Sequence, residues 1–305
     1  MEQVKKRKKS MSLQRQKRLY GILFILPAFI FVFAFMFYPI MYSAFMSLQD
    51  YNYVTDASPS FVGFENYKNA FQDPTFRVSM KNTLIYSSIY FISVMVISLF
   101  LALTLFNVKK FNAFFRTSIF IPIVVPLSLA SIVFTWILQE NIGLLNYFLG
   151  DILGLEQLTR GWLTEGKTAM GSIIGVGLWA TIGFVTILFL GGLQSISPDI
   201  LEAAEVDGAT GWKKIFYVIL PNLREAYILT GIWAIIQALK VFVEPMVMTH
   251  GGPGTSTLVM YQEIYFTAFT RFEMGYASAM AYILGIITLV FSLINFHINR
   301  SREDI

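Results

Sequence analysis

Long apolar stretches separated by short polar segments dominate the pattern of this 305-residue chain. A helix needs about 20 apolar residues to cross the hydrocarbon core of a bilayer. Six stretches reach that length and are predicted to be membrane spans, namely residues 20–44, 82–106, 117–138, 169–193, 226–248 and 276–297. The pattern therefore predicts an all-α polytopic membrane protein with six transmembrane helices.

The first apolar stretch follows a basic segment, as it would in a secretory signal peptide. Its run is longer than a signal-peptide core, and no small-x-small cleavage site follows it. We therefore expect a retained span. Four prolines inside or beside the spans are expected to kink their helices: Pro27, Pro39, Pro122 and Pro126.

The distribution of Lys and Arg predicts the orientation, because these residues are enriched in cytoplasmic loops. With a cytoplasmic N-terminus, sixteen of the 23 lie on the cytoplasmic side and six outside, and Lys240 lies within a span. Both termini are therefore predicted to be cytoplasmic. The predicted organisation is a basic tail at 1–19, one membrane domain at 20–298 and a short tail at 299–305. The basic tail is interpreted as binding anionic lipid, not nucleic acid.

Composition narrows the class of protein. The chain is 55% hydrophobic and 14% charged, whereas soluble domains carry about 25% charged residues. A soluble enzyme and a disordered chain are both excluded. The absence of cysteine excludes disulfides, thiolate metal sites and cysteine nucleophiles. His250 and His297 show no partner pattern, and no metal cluster or nucleophile–base arrangement is visible, so we expect no metal, no cofactor and no catalysis in this chain.

Residues 161–168 match the phosphate-loop pattern G-x-x-x-x-G-K-[ST]. That motif requires a buried strand before it and a helix whose N-terminus faces the phosphates. Here a polar segment precedes the match, a membrane span follows it, and the predicted topology places it outside the cell. We interpret the match as a coincidence.

The loop between the fourth and fifth spans, about 194–222, carries strong helix signals. Ser197 is a predicted N-cap, Pro198 suits the first helical position, and Gly208 is a natural C-terminal stop. A second short helix is predicted from Thr210 to Pro221. Its apolar face would be formed by Trp212, Ile215, Phe216 and Ile219. The loop is therefore predicted to be a helix-turn-helix lying against the inner membrane surface, either as a grip for a cytoplasmic partner or as an amphipathic connector.

The same loop contains a motif that resembles the EAA loop of bacterial ABC importer permeases, E-A-A-x3-G-x9-I-x-L-P. The matching residues are Glu202, Ala203, Ala204, Gly208, Leu220 and Pro221, with Val218 replacing the isoleucine. The chain from the first span to the sixth also resembles the maltose-type carbohydrate permeases. The segments that carry this wider resemblance are 61–67, 73–76, 82–83, 120–122 with Trp136, 191–194, and 250–253 with Thr257.

This resemblance implies the fold of a type I ABC importer transmembrane domain and a non-catalytic role. A second, homologous permease would complete the pathway, two cytoplasmic ATPase subunits would bind ATP and Mg, and an external solute-binding protein would deliver the sugar. The first loop helix would dock on the ATPase. Glu202 would make a charged contact there, and Asp207 would also belong to the coupling surface. Gly208 would allow the sharp turn, a role that its backbone freedom predicts independently, and Leu220-Pro221 would direct the chain into span five.

Three polar residues of the fifth span, Gln237, Lys240 and Glu244, are spaced i, i+3 and i+7 and are predicted to share one helical face. Ionisable groups inside a membrane usually face a cavity or each other. They are candidates for lining the translocation pathway. A structural Lys240–Glu244 pair within the helix, or a contact between subunits, remains the alternative.

Two further groups of residues are candidates for function. Trp136 and Trp179 would either stack on sugar rings or serve as packing and interfacial anchors. Gly251, Gly252 and Pro253 form a predicted turn that would either contact the binding protein or redirect the chain. The sequence leaves open a non-sugar solute such as glycerol phosphate and, as a different class, a stand-alone secondary transporter.

Overall fold

The structure, a computed structural model, describes residues 13–108 and 110–300. Within those residues, five helical stretches are long and apolar enough to cross a membrane: Lys17–Met46, Pro74–Asn107, Ala169–Ser195, Arg224–Met248 and Met274–Ile298. A sixth crossing is formed if the bent pair Asn112–Val124 and Leu127–Ile137 is counted as one span. Each predicted span therefore has a helical counterpart. Most of the predicted basic tail, residues 1–12, and the end of the predicted C-terminal tail, 301–305, lie outside the described residues.

The first span consists of helix α1 (Leu13–Val32), a π-helical turn (Phe33–Phe37) and helix α2 (Tyr38–Met46). The helix continues through Pro27. The Tyr38 N–H donates to the Phe33 carbonyl across the π turn, and Pro39 lies at the start of α2, where a missing N–H is tolerated. None of the most apolar window of this span is buried within the chain. Its side chains are therefore free to contact lipid or another subunit.

A small layer joins the first two spans on the predicted outer side. Strands β1 (Gln49–Asp50) and β2 (Ser60–Phe61) pair antiparallel, and helices α3 (Glu65–Gln72) and α4 (Pro74–Asn107) follow. Helix α4 begins eight residues before the predicted span. The reason is local: the Asp73 carboxylate accepts from the Thr75 N–H at 2.8 Å, and proline suits the first helical position.

The third span is broken. Helices α5 (Asn112–Val124) and α6 (Leu127–Ile137) meet at 95°, so the span predicted over 117–138 is a bent pair of helices and not one continuous helix, and the kink expected at Pro122 and Pro126 is confirmed. Pro122 removes a helical N–H, and Pro126 forces Val125 into an extended conformation, with ψ of 125°.

The remaining elements follow in chain order. They are α7 (Leu144–Tyr147), a π turn (Phe148–Ile152), a 3-10 turn (Glu156–Leu158), α8 (Ala169–Ser195), α9 (Pro198–Val206), α10 (Trp212–Lys214), a π turn (Ile215–Ile219), α11 (Leu220–Asn222), α12 (Arg224–Leu239), α13 (Val243–Met248), α14 (Met260–Phe269) and α15 (Met274–Arg300).

Residues 161–168 do not form a phosphate loop. The element before them is the 3-10 turn Glu156–Leu158, not a strand, and the Gly161 N–H donates to the Glu165 carboxylate at 3.0 Å. The Asn146 side chain accepts from the Trp162 indole at 2.7 Å and donates to the Arg160 carbonyl at 2.8 Å. The segment is therefore a self-contained turn held by its own neighbours.

The core lies where α4, α8 and α12 pack together, with α5 and α15 against them. Its buried side chains include Tyr86, Val94 and Phe189. Gly183 allows α8 to approach α5 closely, because a Cβ there would lie 1.9 Å from the Ile119 carbonyl oxygen. This packing fixes the positions at which the loop between α8 and α12 leaves and re-enters the bundle.

Candidate functional site

The first arm of the loop between spans four and five begins and ends as predicted. The Ser197 hydroxyl accepts from the Asp199 N–H at 3.3 Å, and Pro198 opens α9. At the other end, Gly208 has φ of +80°. The Gly208 N–H donates to the Glu205 carbonyl and the Ala209 N–H donates to the Ala204 carbonyl, at 3.1 and 2.8 Å. This pair of bonds is a Schellman motif, which requires a left-handed residue at the position of Gly208.

The second arm differs from the prediction. It begins at Trp212 and passes through Pro221, ending at Asn222, because a π-helical turn over Ile215–Ile219 precedes the proline. In that turn the Leu220 N–H donates to the Ile215 carbonyl. The wider turn accommodates the proline without ending the arm. The predicted stop at Pro221 is therefore wrong.

The π turn also divides the predicted apolar face of this arm. Ile219 is buried in the core, whereas Trp212 is 71% exposed and stacks on the exposed Phe216, with ring centroids 6.1 Å apart. Val206 and Tyr217 are exposed by 88% and 78%. Val206, Trp212, Phe216 and Tyr217 are together called the loop patch below.

The residues of the EAA-like motif differ in how far they are exposed. Glu202, Ala203 and Asp207 are exposed, whereas Ala204 is buried. Leu220 is half-buried against the core and Pro221 is exposed. Within the described part of the chain Glu202 makes no ion pair, so its carboxylate is available to a partner.

Two polar contacts hold the loop in place. Lys214 Nζ lies 2.6 Å from Glu205 Oε1 and joins the two arms. With the Gln194 amide turned so that its oxygen faces Arg116, at the start of span three, the Arg116 guanidinium donates to that oxygen at 2.9 and 3.2 Å. Sequence reasoning did not identify Arg116, although Gln194 belonged to one of the segments that resembled the carbohydrate permeases.

The fifth span corrects the predicted polar face. Helix α12 ends at Leu239, Lys240 is its C-cap, and Phe242 has φ of −151°, so helical spacing is lost across 240–242. Pro245 explains the break, because a proline is tolerated in the first turn of a new helix but not in a helix interior. Gln237, Lys240 and Glu244 therefore do not share a helical face.

The predicted Lys240–Glu244 pair is also not formed. Lys240 is exposed and Glu244 is only 6% exposed. Both belong to the described residues, and no ion pair joins them. The Tyr86 hydroxyl of α4 donates to Glu244 Oε1 at 3.4 Å instead. Tyr86 is a further residue that sequence spacing did not reveal, because its contact joins positions 158 residues apart.

The two candidate tryptophans occupy different surroundings. Trp179 packs edge to face on Phe134, with ring centroids 5.1 Å apart, and so joins α8 to α6. Trp136 is 69% exposed on α6. Trp179 therefore has a packing role in this structure, and Trp136 is free to contact lipid, solute or another subunit.

The segment after α13 is a tightly held turn. Its left-handed residues are His250, Gly251 and Gly254. The Thr257 hydroxyl donates to the Gly252 carbonyl at 2.7 Å, and Asn82 of α4 donates to the carbonyls of Thr255 and Leu258 at 2.8 and 2.9 Å. The structure thus brings together two segments that the sequence related only by resemblance, 82–83 and 250–257.

A cavity of about 520 Å³, with a mainly apolar lining and several polar groups, lies beside this turn. It is bounded by the end of α6, the end of α13 and the turn at Gly252 and Pro253, with Gln139, Glu140 and Asn141 in its wall. Amide, carboxylate and hydroxyl groups of this kind bind hydroxylated solutes. Among the described residues, no group of three or more His, Asp or Glu is arranged to hold a metal ion.

The fold is a bundle of continuous and broken spans, and a two-armed exposed loop joins the fourth span to the fifth. This architecture is typical of the membrane subunit of a transporter. Residues 94–304 match the family described as "Binding-protein-dependent transport system inner membrane component". The chain belongs to this family and is a permease subunit of an ABC importer in the cytoplasmic membrane. ATP hydrolysis belongs to a separate partner.

Relatives and solved structures agree with this assignment. The chain is 35% identical to the "Probable ABC transporter permease protein YurN" of Bacillus subtilis, over 95% of this chain and 99% of the relative. It is 32% identical to the lactose transport system permease protein LacF of Rhizobium radiobacter, over 96% and 98%. A bacterial ABC transporter that imports the polysaccharide alginate has the same fold, with a TM-score of 0.81, 23% identity, and 96% and 98% of the two chains covered. The predicted type I importer fold is thereby confirmed.

Proposed function

We propose that this permease carries a carbohydrate of the oligosaccharide class into the cytoplasm of a bacterium. The observation that carries the proposal is the set of relatives that align along most of the chain. Besides the lactose permease, they include the arabinooligosaccharides permease AraP of Bacillus subtilis, 32% identical over 92% of this chain. The polar groups in the wall of the cavity beside Gly252, among them Gln139, Glu140 and Asn141, are compatible with a hydroxylated solute.

The proposed assembly contains a second, homologous permease, two ATPase subunits that bind ATP and Mg, and an external solute-binding protein. This chain is proposed to need no cofactor and to bind no nucleic acid. Two observations support partners: the first span is unburied within the chain, and the loop patch exposes four large apolar side chains. The alginate transporter has also been solved in complex with its alginate pentasaccharide-bound periplasmic protein.

The orientation is proposed from charge. With both termini cytoplasmic, the loop between spans four and five faces the ATPase side. We propose that α9 docks on the ATPase through Glu202, Ala203 and Asp207, and that the exposed loop patch covers the rest of the contact. Gly208 sets the angle between the arms, and Leu220-Pro221 directs the chain back into the membrane.

The same orientation places the turn at Gly251, Gly252 and Pro253 outside, where we propose that it contacts the binding protein. Gln237, Lys240 and Trp136 are exposed on this chain and are proposed to face the pathway once the second permease is present. Glu244 acts from behind that surface because it is buried, whereas Trp179 packs on Phe134 and is still 38% exposed.

Substrate class is tested on the cognate binding protein. Calorimetry with lactose, arabinotriose, diacetylchitobiose and glycerol 3-phosphate would identify the ligand, and uptake of the radiolabelled ligand by cells with and without this permease would link it to transport. We expect sugar binding and permease-dependent uptake. Binding of glycerol 3-phosphate alone would contradict the carbohydrate assignment and leave the importer assignment intact.

A further inference from the structure

The segment of span five after its break is a separate short helix. Helix α13 has six residues and packs on α6, the helix after the break in span three, and on α8. Phe242 lies outside helical geometry, so α12 does not fix the direction of α13 through continuous backbone hydrogen bonds. The position of α13 therefore depends on side-chain contacts.

One of these contacts is polar and buried. The Tyr86 hydroxyl approaches Glu244 Oε1 to 3.4 Å, and both groups lie directly over Gly177 of α8. A Cβ at Gly177 would lie 2.5 Å from the Tyr86 hydroxyl and 3.0 Å from Glu244 Oε1. Tyr86 and Glu244 therefore meet against the backbone of Gly177, which has no side chain. This single site joins α4, α8 and α13.

Contacts other than the one with Glu244 also hold Tyr86 in place. Its ring stacks on Tyr90 at 5.6 Å with an interplanar angle of 15°, and the Tyr90 hydroxyl donates to Thr181 Oγ1 at 2.8 Å. Thr181 in turn donates to the Gly177 carbonyl at 2.7 Å. The α4–α8 pair therefore presents the Tyr86 hydroxyl at a fixed point, and Glu244 is the group through which α13 reaches it.

We propose that Glu244 is a positioning residue for transport. Through Tyr86 it fixes α13 against α4 and α8, and with α13 it fixes α6 and the turn at 250–254. The side chain at position 244 must offer an oxygen that accepts the hydrogen bond from the Tyr86 hydroxyl. Only the transport part of this inference rests on the proposed function, since the attachment of α13 is a property of the chain itself.

The attachment is tested by amide hydrogen exchange of peptides covering 243–249 in the complete transporter in lipid nanodiscs. Tyr86→Phe and Glu244→Leu should each accelerate exchange there about three- to tenfold, the change expected from losing one hydrogen bond. The double variant should show no further change. Glu244→Gln keeps the acceptor oxygen and should resemble the wild type.

Ser98→Ala is the matched control, because it removes another buried hydroxyl that joins α4 to α8, through a bond to the Ile182 carbonyl at 3.1 Å, without touching Glu244 or the Tyr86 ring stack. Equal acceleration by Ser98→Ala and Tyr86→Phe, unchanged exchange in Glu244→Leu, or failure of Glu244→Gln to resemble the wild type would each overturn the proposal. Uptake of the radiolabelled ligand by cells that carry the same variants supplies the transport readout and should follow the same order of variants. If no ATPase co-purifies with the chain, hydrogen exchange on the chain in nanodiscs still tests the attachment of α13 to α4 and α8.

Discussion

The backbone N–H of Ala209 donates to the carbonyl of Ala204 at 2.8 Å, and this bond folds the chain back over Gly208 at the end of α9. Gly208 has φ of +80°, and no atom lies within 4 Å of where its Cβ would be. A glycine is therefore favoured here by its positive φ and not by a lack of space for a side chain. The turn sets the direction of the proposed docking helix relative to the arm that returns to the membrane.

Replacing Gly208 by valine should distort this turn, because a β-branched residue strongly disfavours positive φ. We expect at least a tenfold loss of ATP-driven uptake with normal membrane insertion, measured as transport per permease in the membrane. Gly208→Asn should retain most activity, since asparagine tolerates the left-handed region. Full activity of the valine variant would show that the turn has no role in coupling.

Reversing the charge of Glu202 should weaken docking of the ATPase. The carboxylate is exposed and unpaired within the described chain, so Glu202→Lys changes a contact with a partner and not the stability of the bundle. We expect reduced co-purification of the ATPase and reduced uptake. Glu156→Lys makes the same charge change at an exposed position on the predicted outer side and should leave both unchanged. Equal effects of the two variants would refute the assignment of Glu202.

The approach of α5 to α8 predicts a contrast between two glycines of one helix. Gly183→Ala would place a Cβ 1.9 Å from the Ile119 carbonyl oxygen, whereas the Cβ of Gly175→Ala meets no atom within 4 Å. The first change should lower the free energy of unfolding by about 1–3 kcal/mol through overpacking. The second should be neutral or raise it by up to about 1 kcal/mol through helix propensity. Thermal denaturation in detergent, followed by tryptophan fluorescence, compares the two, and equal melting temperatures would contradict the packing.

Asn82 is predicted to hold the turn proposed to contact the binding protein. Its amide donates to the carbonyls of Thr255 and Leu258, so Asn82→Ala leaves two acceptors without this donor. Each lost bond costs about 0.5–1.5 kcal/mol, and limited proteolysis should cut 250–258 faster. Asn107→Ala, which removes only an exposed bond to the Leu103 carbonyl of its own helix, is the control. Unchanged cleavage in Asn82→Ala would show that packing alone holds the turn.

The parts of this fold that could be predicted from sequence are those set by local chemistry. Apolar length placed the spans, and the Ser197 and Gly208 signals placed the ends of α9, because capping depends on a few neighbouring residues. The end of the second arm was predicted less well, since a π turn carries the helix through Pro221.

The polar face of span five was misjudged for two physical reasons. Pro245 marks the start of a new helix, a local signal that was present in the sequence, and it invalidates the i, i+3, i+7 spacing. The contact between Glu244 and Tyr86 joins distant positions and depends on how α4, α8 and α13 pack. Helical periodicity describes one element at a time, so it gives no access to such a contact.

Purification of this chain from its native membrane tests whether it is the membrane subunit of an ATP-driven importer. We expect the tagged permease to co-purify with a second permease and an ABC ATPase in fixed proportion. Vesicles containing this complex should hydrolyse ATP faster when the liganded binding protein is added. Isolation of the chain alone, together with solute transport in vesicles free of ATPase, would show that the chain is not a subunit of an ATP-driven importer.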